Sequence, residues 1–173
     1  YGTSGSTFSV GIKENNFNGQ GIKLDANIAV TQESLRGKFA YTNPNFAYSD
    51  RSVTTSIEST ATDKEKNYGF KTSLNKISLG TAFEQYDDIY FAPTISVAHE
   101  SLTTTANASQ NYKKQEGSYF DTLFNYSLTY DKRNSPYRPT KGFLSTFLQE
   151  IPLVSDNYAI LNGYQIKGYN EIF

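Results

Sequence analysis

"SYFDTLFNYSLTYDKRNSPYRPTKGFLSTFLQE", residues 118–150, contains two alternating runs separated by a polar turn that carries Pro136 and Pro139. In the first run Phe120, Phe124, Tyr126, Leu128 and Tyr130 share one parity, and Asp121, Asn125, Ser127, Thr129 and Asp131 share the other. A period of two is that of a β-strand with one apolar and one polar face, because successive side chains leave opposite sides of the pleat. The second run, 142–152, repeats the pattern more weakly. Between them Lys132, Arg133, Arg138 and Lys141 make the turn basic, and Tyr130 and Phe143 flank it where each strand would meet it.

Outward from this hairpin the same period recurs. Residues 21–31 set Ile22, Leu24, Ala26, Ile28 and Val30 against Lys23, Asp25, Asn27 and Thr31, and residues 158–170 set Tyr158, Ile160, Tyr164 and Ile166 against Gln165 and Lys167. Weaker alternations lie at 6–14, 33–43, 52–62, 68–84 and 89–103. These segments predict an all-β chain of about nine antiparallel strands with no convincing helix.

Composition narrows the class. The 173 residues include 16 basic and 17 acidic side chains, a formal net charge of −1, so no basic surface argues for nucleic acid. There is no cysteine, hence no disulfide framework and no thiolate metal site. No run approaches the ~18 apolar residues that a membrane-spanning helix needs. Yet 15% of the residues are aromatic, 14 Tyr and 12 Phe, scattered among Ser, Thr and Asn. That mixture suits a sheet with one wet and one dry face.

Short connections make neighbouring strands antiparallel and put alternate loops at opposite ends. One end collects 15–20, 44–51, 85–88 and 132–141, with Phe17, Phe46, Tyr48, Tyr86 and Tyr137 and three prolines, Pro44, Pro136 and Pro139. The other collects 63–67, 104–117 and 153–157, which are almost purely polar. An aromatic-flanked membrane rim explains the first set and free solvent the second. On this reading Ile22, Leu24, Ile28, Phe120, Phe124, Leu128, Ile160 and Ile166 face lipid, and Lys23, Asp25, Asn125 and Lys167 face a lumen. A soluble β-sandwich or barrel with the dry face turned inward shows the same alternation and stays open as an alternative.

Three stretches carry a family resemblance. YDKRNSPYRPTKGFLSTFLQEIP, following FDTLFNYSLTYD, resembles the mid-barrel hairpin of the BamA-like, POTRA-barrel outer-membrane assembly family, where a Tyr-Asp strand end leads through a proline turn to a Pro-Thr-x-Gly strand start; Pro139, Thr140 and Gly142 match that start. NNFNGQG at 15–21, with Phe17 and Gly19, is similar to that family's Asn-aromatic-x-Gly-x-Gly periplasmic turn, and YTNPNF at 41–46, with Pro44 and Phe46, to its Thr-Asn-Pro-aromatic turn. The resemblance implies a partial outer-membrane β-barrel domain over 1–173, running from the second to the tenth strand of a barrel of about sixteen. It makes Tyr1–Thr3 a remnant of the first strand, with POTRA domains and the closing strands lying outside the chain. The C-terminal GYNEIF has Gly168 and a terminal Phe173 but Glu171 at an expected apolar position, so it reads as a strand end inside the barrel rather than an assembly signal. The implied function is folding and inserting other β-barrel proteins in the outer membrane of a Gram-negative bacterium, without catalysis. The implied partners are membrane lipid, nascent outer-membrane β-barrel proteins, the accessory lipoproteins of the assembly complex and the remaining barrel strands. The alternative is a passive outer-membrane channel.

Catalytic chemistry has one starting point. His99, the only histidine, shares a strand face with Ser101, and outer-membrane phospholipases use a lipid-facing Ser, His and Asn; however, no Asn is evidently placed in VAHESL to orient the ring. A His-Ser pair at the headgroup boundary, without chemistry, is the plainer reading. Asp87 and Asp88 are adjacent in a turn, so their side chains diverge. Gly19-x-Gly21 lacks the helix of a phosphate loop, and Asn107-Ala108-Ser109 is a sequon without a bacterial meaning. No metal, cofactor or nucleotide constellation stands out.

Overall fold

The computed structural model of the protein describes residues 6–171 apart from Asn157. Tyr1–Thr3 and Phe173, on which two of the expectations above fall, lie outside the described residues. Among the described residues nine strands form one antiparallel meander in sequence order: β1 Phe8–Phe17, β2 Ile22–Val30, β3 Ser34–Asn43, β4 Ser52–Lys64, β5 Phe70–Tyr86, β6 Ile89–Thr104, β7 Gly117–Asp131, β8 Gly142–Val154 and β9 Leu161–Tyr169. Each strand pairs only with its chain neighbours, so β1 and β9 are the two edges of the described sheet.

Two short helices, α1 Glu65–Tyr68 and α2 Gln110–Lys114, stand where only strand and loop are expected, each in a connection at the same end. The strand expected from 68 therefore begins at Phe70. Gly69, left-handed at φ +74, closes α1 first, its N–H donating to the Glu65 carbonyl. The last expected strand begins late as well. Ile160 precedes β9 and is not a strand residue, because the β8–β9 ladder ends at Glu150 and Leu161, just before Pro152, which has no N–H to continue it.

Among the described residues no interior comparable with that of a soluble domain is present. Among the described residues the buried hydrophobics are Ile22, Phe70, Ala98, Leu102 and Ala108, while Ile28, Ile57, Ile77, Leu79 and Phe120 are each more than half exposed. These exposed residues share one face, so nothing within the sheet covers its dry side, and a soluble sandwich or closed soluble barrel does not describe this chain. The open sheet is that of a partial transmembrane β-barrel. A spanning strand needs about 9–11 residues. β1, β2, β3 and β9 have 10, 9, 10 and 9, whereas β5, β6 and β7 have 17, 16 and 15, so the central strands overrun that length.

Candidate functional site

Pairing register sorts the side chains onto two faces more sharply than any one strand does. Leu24, Tyr41, Thr55, Leu79, Ile95, Phe124 and Ile151 form a single cross-strand row from β2 to β8. One residue along, Lys23, Thr42, Thr54, Gly80, Thr94, Asn125 and Glu150 form the parallel row on the opposite face. The register places Ile22, Ile28, Phe120, Leu128 and Ile166 on the side of Leu24 and Phe124, and Asp25 and Lys167 on the side of Lys23 and Asn125. The polar face also carries Lys38, Glu58 and Lys76 directly opposite one another on β3, β4 and β5.

At one end, the β7–β8 turn is held by its own side chains. The Arg133 guanidinium donates to both oxygens of Asp131, at 2.8 Å from Nε and 2.6 Å from Nη2, and its Nη1 donates to the Pro136 carbonyl. These bonds, with a further one from the Arg133 backbone N–H, hold the Asp131 carboxyl below its usual range. The Asn134 side chain accepts from the backbone N–H groups of Thr140 and Lys141 and donates to the Thr140 hydroxyl, closing the turn from inside. Gly142 leaves it at φ +99, where a Cβ would lie 2.0 Å from the Lys132 carbonyl oxygen. This backbone approach explains why the Pro-Thr-x-Gly start ends in glycine. Pro136 and Pro139 lie within the turn, and Tyr137 between them is 94% exposed.

A contact between turns extends this rigidity. The Lys132 ammonium pairs with the Asp88 carboxylate of the β5–β6 turn, which raises the Lys132 pKa, and the Asp131 N–H donates to the Asp88 carbonyl at 2.9 Å. Asp88 holds Lys132 directly, and Asp87 acts on it only through its charge. The β3–β4 turn beside them holds Ala47, Tyr48 and Asp50 at positive φ, a strained backbone for such residues, and leaves Tyr48 95% exposed and Phe46 about half exposed. Phe17 ends β1, Gly19 turns at φ +71, and Pro44 packs beside Gly21.

The other end reverses the sidedness of the sheet. In β5 the face of Ile77 and Leu79 continues as Asn75, Ser73 and Lys71, while the opposite face, polar at Lys76 and Ser78, becomes Leu74 and Phe70. In β6 the face of Ile95 and Val97 continues as His99, Ser101 and Thr103, while Ala98 and Leu102, with the exposed Glu100 between them, occupy the other. The β6–β7 connection folds over that second face. Tyr112 of α2 stacks on Phe70 with ring centroids 4.2 Å apart, and the Thr105 N–H donates to the Gly69 carbonyl at 2.8 Å. Ala108 sits so close to Gly69 that a Cβ there would be 2.5 Å from its backbone nitrogen. Among the described residues, three of the five buried apolar side chains, Phe70, Leu102 and Ala108, lie at this end, in or beside the cap.

His99 lies at the reversal. Its Nε2 is 2.8 Å from the hydroxyl of Ser118, not that of Ser101, because register brings β7 alongside. Asn75 stands directly opposite on β5, although its amide oxygen accepts from Ser59. Sequence spacing misses both neighbours, since each comes from another strand. A hydroxyl beside an imidazole is chemically capable of proton exchange, but the strand backbone around it is committed to ladder pairing and offers no aimed pair of amides for an oxyanion.

Comparison with known proteins fits this geometry. Among curated proteins there is no match. The chain is similar in fold to the solved structure of BamA from Haemophilus ducreyi lacking POTRA domains 1-3, with a TM-score of 0.73 and 20% sequence identity, over 95% of this chain and 35% of that one. It therefore spans about a third of the length of that relative. The sequence signature of the Omp85 superfamily domain matches residues 16–171. With nine paired strands in the order of a BamA-type barrel and that signature along nearly their whole length, the chain belongs to the Omp85 superfamily.

Proposed function

We propose that this chain is part of an outer-membrane protein that folds and inserts other β-barrel proteins. The observation that carries the reading is the Omp85 signature over 16–171, lying on a nine-stranded antiparallel meander. A strand edge in hydrocarbon leaves backbone N–H and C=O groups without partners at several kcal/mol each, so an edge that opens in the membrane captures an incoming strand by offering it a ladder. The remaining barrel strands pair with β1 and β9 in the resting protein. The apolar face, with Leu24, Ile28, Phe120, Phe124, Leu128 and Ile166, lies against lipid, Ile22 on the same face being buried within the protein, and Lys23, Asp25, Asn125 and Lys167 line the lumen. The turns with Phe17, Gly19, Pro44, Phe46, Pro136 and Pro139 lie on the periplasmic side, where accessory lipoproteins dock, and the helix-bearing connections lie outside the cell.

A passive channel is the second reading, favoured by the opposed charges Lys38, Glu58 and Lys76 on the lumen-side face. One experiment separates the two. The full-length protein is reconstituted in liposomes, and the folding of an added unfolded barrel protein is followed by heat-modifiable gel mobility. Folding faster than in protein-free liposomes supports assembly. No acceleration, with steady solute efflux, supports a channel and overturns the assembly reading.

A further inference from the structure

We propose that the outward face of β4–β7 beyond residues 75 and 99 is a binding site for a lipid with a hydroxyl-rich, sugar-type headgroup in the outer leaflet. The proposal rests on the membrane-barrel reading above and assigns one surface of it.

Three observations converge. First, the reversal of sidedness locates the edge of the membrane. The outward face is apolar through Ile77, Leu79, Ile95 and Val97, then polar without interruption through Lys71, Ser73 and Asn75 on β5 and His99, Ser101 and Thr103 on β6. Because Phe70, Ala98 and Leu102 are buried on the opposite face over the same residues, interrupted by the exposed Glu100, this is a change of surroundings and not a lapse of pattern. Hydrocarbon is outside below the line, and water or headgroups are outside above it.

Second, the line itself is a row of hydrogen-bonding side chains in register across three strands, Ser59, Asn75 and His99; on β7 the register position is Phe120, and His99 reaches Ser118 on the diagonal. Ser59 donates to Asn75 at 2.8 Å, Asn75 stands opposite His99, and His99 bonds Ser118 at 2.8 Å. Hydroxyl, amide and imidazole groups both donate and accept, which matches the mixed donors and acceptors of a polyol.

Third, a groove of about 460 Å³ opens immediately above this row, lined by Leu35, Ala61, Lys71, Ser73, Ser101 and Thr103 among others. Small side chains at Ala61, Ser73 and Ser101 form its floor. Charge argues for a sugar over a phosphate here. Lys71, the cation of the groove, is already bonded to Asp63 at 3.2 Å and Glu65 at 2.5 Å, so the cluster is net negative and repels an anion. The groove is also continuous with the apolar face, so a headgroup seated in it leaves its acyl chains on Ile77 and Val97.

The test uses the full-length protein. Nitroxides are attached to single cysteines at Ile77, Val97, Ser73 and Ser101; these 173 residues contain no cysteine, and any elsewhere in the full-length protein is replaced by serine. Separately, native mass spectrometry measures retention of diglucosyl diacylglycerol against phosphatidylethanolamine, for the wild type and for Ser73→Leu/Ser101→Leu, whose folding is checked by heat-modifiable mobility. The nitroxides at 77 and 97 are expected to report hydrocarbon and those at 73 and 101 the aqueous relaxer. The glycolipid should be retained about tenfold better than phosphatidylethanolamine, with the preference lost in the double variant. Hydrocarbon at all four positions, no preference in the wild type, or a preference that survives in a folded double variant each overturns the site. Water at 77 and 97 overturns the membrane reading itself.

Discussion

Replacing Gly142 with alanine should cost more stability than any other glycine-to-alanine change in the hairpin strands, and the amount follows from two contributions. Gly142 is at φ +99, where an L side chain strains the backbone by about 1–2 kcal/mol. Its Cβ would also stand 2.0 Å from the Lys132 carbonyl oxygen and 2.8 Å from the Lys132 carbonyl carbon, contacts that no side-chain rotation relieves. Moving backbone to make room costs about 1–3 kcal/mol in a packed setting. The shift also loosens the bond from the Lys132 N–H to the Phe143 carbonyl, 2.8 Å long, at the first rung of β8. The expected total is about 2–5 kcal/mol. The assay is reversible urea unfolding of the full-length barrel in lipid vesicles, followed by tyrosine fluorescence and heat-modifiable mobility. Gly168→Ala on β9 is the control, since nothing lies within 4 Å of the Cβ it would add. A Gly142→Ala protein within about 0.5 kcal/mol of the control would refute the close approach between the two ends of the turn.

Other changes test other parts of the structure. Phe124→Arg should destabilise the barrel by about 2–4 kcal/mol if that row is mid-membrane, and Asn125→Arg by less than about 1, measured in the same urea titration. Asp131 has a carboxyl whose pKa is lowered by Arg133, so its contribution is present above the unfolded pKa of about 4 and is lost as pH falls through the lower folded value. The stability gap between wild type and Asp131→Asn should therefore be constant from pH 7 to about 5 and close on further acidification. A cysteine at Ser109 should react with a membrane-impermeant thiol reagent on intact cells and one at Ser135 should not; the reverse pattern would show that the two ends are assigned to the wrong sides.

Much of the fold was legible because period two needs only neighbouring residues. Parity at Ile22–Val30, Phe120–Tyr130 and Tyr164–Ile166 gave the faces that register later aligned into common rows. The β9 start was missed because Ile160 keeps the parity while its pairing partner, past Glu150, has run into a proline. The reversal on β5 and β6 was hidden for a different reason. Phe70, Leu74 and Leu102 are apolar residues at polar parity, and alternation cannot say that the 105–116 connection folds back onto Gly69 and Phe70. Contacts between distant segments were likewise out of reach: Ser118 is 19 residues from His99, and Lys132 is 44 from Asp88.

The overrun of the central strands bears on how such a sheet gets into a membrane at all. If the helix-bearing connections finish outside the cell, the Asp63, Glu65 and Lys71 cluster and the whole 105–116 segment must traverse hydrocarbon before β5, β6 and β7 are seated. A lone charge at the bilayer midplane costs about 2–4 kcal/mol, so a leading tip with its charges already paired crosses a lower barrier than one with them free. Lys71 bonded to Asp63 and Glu65 moves a tip partway there, leaving one negative charge where three separate charges would stand. If the cap closes on Phe70 after that passage, the Tyr112 stack is a latch set at the end of insertion and an obstacle to the hairpins sliding back.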